Sequence, residues 1–145
     1  MPQDVTQYHL TTRWSLDAPV GSVWAELSRP EAWPQWWKGM VAVHLLEQGD
    51  SSGMGAYRRI TWHGLLPLRF TFNMRTVKVQ PRALIEQVAD GRLTGVSRWQ
   101  LTRAGAGARV QHDWIVNVPI PGIPVVGSIA APISAFGHGL RSWLT

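Results

Sequence analysis

The chain has 145 residues, of which 45% are hydrophobic and 16% charged, a globular composition with a formal net charge of +5. It contains no cysteine, which excludes disulfides, thiolate metal sites and a cysteine nucleophile, and which fits a reducing compartment. The positive charge comes from twelve Arg and two Lys, scattered singly from Arg13 to Arg141 except for Arg58-Arg59, and without a basic run this pattern argues against a nucleic-acid partner.

The first residues, Met1-Pro2-Gln3-Asp4, have neither a basic nor an apolar leader region, so no secretory signal is expected and a cytoplasmic location is. Tyr8, Leu10, Trp14 and Leu16 alternate along one face of a predicted strand. After the break at Asp17-Ala18-Pro19, apolar residues at Val20, Val23, Trp24 and Leu27 have the spacing of a short amphipathic helix. A second short helical piece covers Pro30 to Trp33 and runs into Pro34-Gln35-Trp36-Trp37. From there the period is two: Val41, Val43 and Leu45 mark a strand that ends in the loop Gly49 to Gly53. Gly55 to His63 and Leu68 to Val79 predict a hairpin, and Ala83 to Ala89 and Leu93 to Leu101 a second one across Asp90-Gly91. Arg109 to Val118 is the last strand. The uncharged stretch from Ile115 to Gly137 is long enough to span a bilayer, but Pro119, Pro121, Pro124 and Pro132 interrupt it. It reads as a strand end, a Pro-rich turn and a buried helix, with no stable membrane insertion. That helix, Val126 to Leu144, carries Gly127, Pro132, Gly137 and Gly139 and is poor in intrinsic propensity.

Strands joined by tight turns form an antiparallel meander with one apolar face, and the terminal helix is the cover for that face. No repeat or linker interrupts the order, so one domain over 1–145 is expected. An exposed edge at the first strand would offer a dimerisation surface.

Several segments carry a resemblance. They are Trp14-Ser15-Leu16-Asp17-Ala18-Pro19 with Val23-Trp24, then Trp33-Pro34-Gln35-Trp36-Trp37, Gly53-Met54-Gly55 and Leu66-Pro67. They continue with Asp90 to Gly95 closing on Trp99, and the strand Val110-Gln111-His112-Asp113-Trp114. Over about residues 8 to 144 the chain resembles the START-related (SRPBCC) superfamily, in its bacterial polyketide cyclase/dehydrase-like branch. The resemblance implies an α+β helix-grip fold: a seven-stranded curved antiparallel sheet around a C-terminal helix, with two short helices after the first strand. It also implies an internal cavity for lipids, hormones, polyketides or other hydrophobic molecules. Only some members are enzymes, and the family has no shared catalytic motif. The glycine-rich last helix departs from the pattern and suggests a capacious or flexible cavity mouth.

Strand parity predicts the cavity wall. Trp14 anchors the first strand. For residues 56 to 63 either parity fits, and Ala56, Arg58, Ile60 and Trp62 form the preferred inner set over Tyr57, Arg59, Thr61 and His63, with Leu68, Phe70, Phe72 and Met74 on the second arm of the hairpin. Leu84, Glu86 and Val88 are in phase, as are Ser97 with Trp99 and His112 with Trp114. Arg58 and Glu86 then face each other as a satisfied ion pair, or orient a polar end of the ligand. His112 among tryptophans is either a general acid or base, a role shared as a candidate with Glu86, or a core histidine with satisfied ring nitrogens. His138 on the last helix is a further lining candidate. The five histidines lack metal-ligand spacing and no metal or cofactor is implied.

Three readings follow. The first is a binding module for a hydrophobic, aromatic or polycyclic molecule, since nine Trp in so short a chain exceed what core filling needs. The second is a cyclase/dehydratase-type enzyme using the same cavity. The third is an interaction protein that docks through surface tryptophans such as Trp36 and Trp37.

Overall fold

The computed structural model of the protein describes residues 6–63, 69–118 and 135–144. Its elements are β1 (Thr6–Leu16), α1 (Val20–Leu27), the 3-10 helix η1 (Pro30–Gln35), β2 (Met40–Glu47), β3 (Tyr57–His63), β4 (Arg69–Gln80), β5 (Leu84–Gly91), β6 (Thr94–Ala104) and β7 (Gly107–Val118). A helix over 135–144, α2, follows. This is the predicted order. The predicted helical stretch 126–134 and Leu68 of the hairpin lie outside the described residues.

The seven strands form one antiparallel sheet in the order β1-β7-β6-β5-β4-β3-β2, so each strand from β2 to β7 pairs with its sequence neighbour while β1 closes onto β7. Register shifts in β2 between Met40 and Ala42 and between Leu45 and Glu47, and in β4 between Thr76 and Lys78, bend the sheet. Gly91 ends β5 with φ of 100°, a left-handed conformation that glycine adopts without strain and that Asp90-Gly91 signals in the sequence.

Alternation sets the two faces. The expected inner residues of β1, β3, β4, β6 and β7 turn inward: Leu16, Ile60, Trp62, Phe72, Met74, Ser97, Trp99, Leu101, Val110, His112, Trp114 and Val116 are buried. In β2 Val43 is buried, whereas Val41 and Leu45, which the period placed with it, are exposed; Val41 falls at the register shift between Met40 and Ala42, and Leu45 keeps the register of Val43.

In β5 the expected phase is reversed. Ile85, Gln87 and Ala89 are the buried residues, because they stand in register opposite Trp99, Ser97 and Gly95 on the inner face of β6. Glu86 therefore lies on the outer face, where its Oε1 accepts from Arg98 Nη2 at 2.7 Å.

The covering elements follow from local sequence. Val20, Val23 and Leu27 give α1 its buried stripe. Pro30 at the start of η1 and Pro34 inside it remove amide donors that an α-helix would need, which holds this turn to a short 3-10 form. Trp33 on η1 donates through Nε1 to the Glu26 carbonyl at 3.1 Å and ties η1 to α1. The core is one cluster that runs from these elements across the inner sheet face to Phe136 and Leu140 of α2.

The glycines of α2 do not loosen it. A Cβ at Gly137 would overlap the Trp14 indole and one at Gly139 would overlap the Trp36 carbonyl oxygen, so both mark places where the helix backbone lies directly on its neighbours. The described part of the helix is thus tightly seated, in contrast to the open mouth its composition suggested. Gly139→Ala tests this. On a free helix the change stabilises by about 1 kcal/mol, but here overpacking against backbone costs about 1–3 kcal/mol. The expected result in a urea titration is a net loss of up to about 2 kcal/mol, and a gain would show that α2 does not rest on η1.

Candidate functional site

Between the sheet and its covering elements, η1, the turn after it and the start of β2 contribute Trp33, Trp37 and Met40 to the wall of a cavity. The sheet supplies Ile60 and Trp62 from β3, Phe72 and Met74 from β4, Gln87 from β5, Ser97 and Trp99 from β6, and His112 and Trp114 from β7. The cavity measures about 20 Å³, room for about one water molecule. Its walls are packed rings: Trp62 meets Phe72 at 5.2 Å and Trp114 at 5.1 Å in edge-to-face contacts, and Trp99 lies 4.2 Å from His112.

The polar groups in this wall are unusual for a core. His112 Nε2 is 2.8 Å from Ser97 Oγ, and burial pushes the histidine pKa from 6.5 down to about 3, so the ring is neutral at ordinary pH. Its Nδ1 has no hydrogen-bond partner, nor do Nε1 of Trp62 and Nε1 of Trp114. Buried polar atoms are nearly always paired, and each unpaired one costs about 1–3 kcal/mol. Three residues of this one cavity wall carry such a nitrogen. The other unpaired buried atoms among the described residues, Glu26 Oε2 and Trp36 Nε1, belong to residues that do not line it.

Of the residues predicted to line the cavity, Trp62, Phe72, Met74, Ser97, Trp99, His112 and Trp114 do so. Trp14 packs instead against Phe136 at 4.6 Å and Trp99 at 6.1 Å, beside the cavity. Phe70 is half-buried against the edge of the core. Arg58 does not meet Glu86: its Nε donates to Glu31 Oε1 at 2.7 Å, and it lines a narrow cleft under α1 with Trp24, Ser28 and Thr76 that reaches Gln87. Glu86, outside the sheet, contributes nothing to the cavity wall. His138 is exposed, since Phe136 and Leu140 four residues apart define the buried face of α2 and position 138 points away from it. Trp36 and Trp37 are buried, stacked on each other at 5.9 Å and packed on Phe136, so they form no docking surface.

Parity within strands could not reveal Trp33, Trp37 and Met40, which come from a 3-10 segment and its exit. Gln87 was missed with the phase of β5. Among the described residues no helix is long and apolar enough to cross a membrane.

The geometry has close counterparts among solved structures. A START superfamily protein from Mycobacterium smegmatis superposes with a TM-score of 0.78 at 17% identity, over 94% of this chain and 99% of that one. The Zhui aromatase/cyclase from Streptomyces sp. R1128 gives 0.72 at 16% identity, over 94% and 93%. A major latex-like protein from Panax ginseng gives 0.73 at 12% identity, over 94% and 96%. At these identities the likeness is one of fold. No curated protein matches the chain in sequence. The sequence model of one family, described as polyketide cyclase/dehydrase and lipid transport, matches residues 7–139, from β1 into α2. The fold just described and that match lead to one conclusion: the chain belongs to the polyketide cyclase/dehydrase and lipid transport family.

Proposed function

We propose that the chain acts as one cytoplasmic ligand-binding domain that holds a hydrophobic small molecule, aromatic or polycyclic, against the inner sheet face in the cavity that the η1 segment covers, rather than against α2 as the resemblance implied. The observation that supports this most is the set of three unpaired ring nitrogens, on Trp62, Trp114 and His112, inside an aromatic wall. A core built only for stability would pair those atoms or replace them with apolar groups. A ligand with an aromatic body and a polar atom satisfies both the faces and the nitrogens, which is how binding cavities are commonly lined.

The cavity of about 20 Å³ is smaller than a bicyclic molecule. A bicyclic ligand enters as the rings of Trp33, Trp37, Trp99 and Phe136, which pack on one another at centroid distances of 4.8 to 6.4 Å, open around it. The alternative reading, a cyclase or dehydratase, draws on the family and on the fold shared with an aromatase/cyclase. In it His112 is the one titratable group on the cavity wall among the described residues. A pKa near 3 makes that imidazole a weak base and suits it to donating a hydrogen bond to a reacting carbonyl.

Native mass spectrometry of the protein purified from its own host tests the binding reading, with titration by 1-anilinonaphthalene-8-sulfonate as the complement. A co-purifying hydrophobic molecule, and saturable dye binding that quenches tryptophan emission, are expected. An empty protein that also ignores the dye would count decisively against it.

A further inference from the structure

We infer that the buried end of the cavity is a hydrogen-bond donor site, built from Trp62, Trp114 and His112 and set by Ser97, that takes the carbonyl, enolate or phenolate oxygen of a ligand. This rests on the ligand-binding reading above and names the chemistry of the ligand's buried end.

Ser97 carries the argument. It is 1% exposed, on β6 directly opposite Trp114. Its hydroxyl has a single hydrogen-bond partner, His112 Nε2. Two arrangements share that bond. If the imidazole donates from Nε2, the serine O–H and the bare Nδ1 are both left unpaired. If the serine donates, Nε2 is the acceptor, the ring proton sits on Nδ1, and Nδ1–H is the one group left without a partner. The second arrangement leaves fewer buried polar groups unsatisfied, and this selects the tautomer. Ser97 is therefore a positioning residue that makes His112 a donor.

Three residues of the wall then carry an N–H without a protein partner: Trp62 and Trp114 at Nε1, and His112 at Nδ1. Gln87, the other polar side chain of the wall besides Ser97, directs its amide nitrogen toward Thr76 on β4 at 3.5 Å. No carboxylate lines the cavity among the described residues, so a cationic group would find no countercharge there. The donors are also all neutral. A full carboxylate would lose its hydration without gaining a countercharge, whereas a carbonyl, or an oxygen whose charge is delocalised over a ring, is well matched to neutral N–H groups in a dry site.

Two measurements test this. The first needs no ligand: 15N NMR of the imidazole at pH 7, with His112 assigned by its loss in His112→Gln. The expected pattern is the Nδ1–H tautomer, kept in Ser97→Thr and lost in Ser97→Ala. An Nε2–H tautomer overturns the inference and leaves ligand binding standing. The second compares 2-acetonaphthone with 2-isopropenylnaphthalene, which has a CH2 in place of the carbonyl oxygen, by tryptophan fluorescence. The ketone is expected to bind about tenfold more tightly, as one extra well-placed hydrogen bond gives, and the ratio is expected to shrink toward one in Ser97→Ala and in Trp114→Phe. Equal binding of the two probes to the unaltered protein overturns the donor assignment alone. Binding of neither overturns it together with the reading beneath it.

Discussion

Replacing Phe136 by alanine is expected to destabilise the protein by about 3–5 kcal/mol and to release α2 from the sheet. Phe136 is fully buried and its ring contacts four tryptophans: Trp14 at 4.6 Å, Trp99 at 4.8 Å, Trp37 at 5.0 Å and Trp36 at 5.6 Å. These rings come from β1, β6 and the η1 segment, so one side chain joins the helix to three separate parts of the core. The described helix covers 135–144, a length that is marginal in isolation, and both Gly137 and Gly139 lower its propensity further. It is held by packing, through Phe136 and Leu140. Against a total stability of about 5–15 kcal/mol for a domain of this kind, the loss is large.

Two readouts check the Phe136→Ala expectation. Urea titration gives the stability, and trypsin cleavage at Arg141, whose Nη2 donates to the Ser15 carbonyl at 2.9 Å, gives the docking of the helix. Faster cleavage at Arg141 before global unfolding is expected. Trp143→Ala, which removes an exposed ring on the same helix, is expected to change stability by less than about 0.5 kcal/mol. If Phe136→Ala behaved like Trp143→Ala, α2 would not be seated as described.

These aromatic contacts also show where the sequence was legible and where it was not. In β6 and β7 one parity is apolar and the other polar, so Trp99, His112 and Trp114 could be placed on the inner face from the sequence alone. In β5 both parities read apolar-polar-apolar, Leu84-Glu86-Val88 against Ile85-Gln87-Ala89, and hydropathy cannot choose. Chemistry could have chosen: burying a neutral amide is much less costly than burying a carboxylate, and Glu86 facing outward meets Arg98, which parity had already put outside. The role of Gly137 and Gly139 was hidden for a different reason. Propensity describes an isolated helix, whereas the need for glycine arises from the Trp14 ring and the Trp36 carbonyl, both distant in sequence. The unpaired nitrogens at the cavity were the least legible of all, because a missing partner is a property of the assembled wall.

Those nitrogens lead to the second large effect, which is acid sensitivity. His112 has an ordinary pKa of 6.5 when unfolded and is pushed by burial to about 3 in the folded protein, with the Asp113 charge opposing only weakly. Below pH 6.5 the unfolded chain takes up a proton that the folded one refuses, so protons favour unfolding and stability falls as pH falls. The slope approaches about 1.4 kcal/mol per pH unit, which amounts to roughly 3 kcal/mol lost by pH 4.5 and on the order of 4–5 kcal/mol near pH 3. Asp113 acts lower in the range. Burial raises its pKa but is outweighed by hydrogen bonds from Thr11 and Gln111, which leave the carboxyl below 3.8, so the stability it adds is present above pH 4 and disappears only as it is protonated. The window from pH 6.5 to 4.5 therefore reports on His112. Urea titrations of the unaltered protein and of His112→Gln across that window are expected to converge as the pH drops, because the glutamine has no proton to refuse. Parallel pH profiles for the two would mean that His112 accepts a proton in the folded state, and the neutral donor role set by Ser97 would fall with it. A bound acceptor oxygen acts in the opposite direction to acid: it stabilises only the folded form with Nδ1–H in place, and so should raise the midpoint at pH 5 of the unaltered protein more than that of Ser97→Ala.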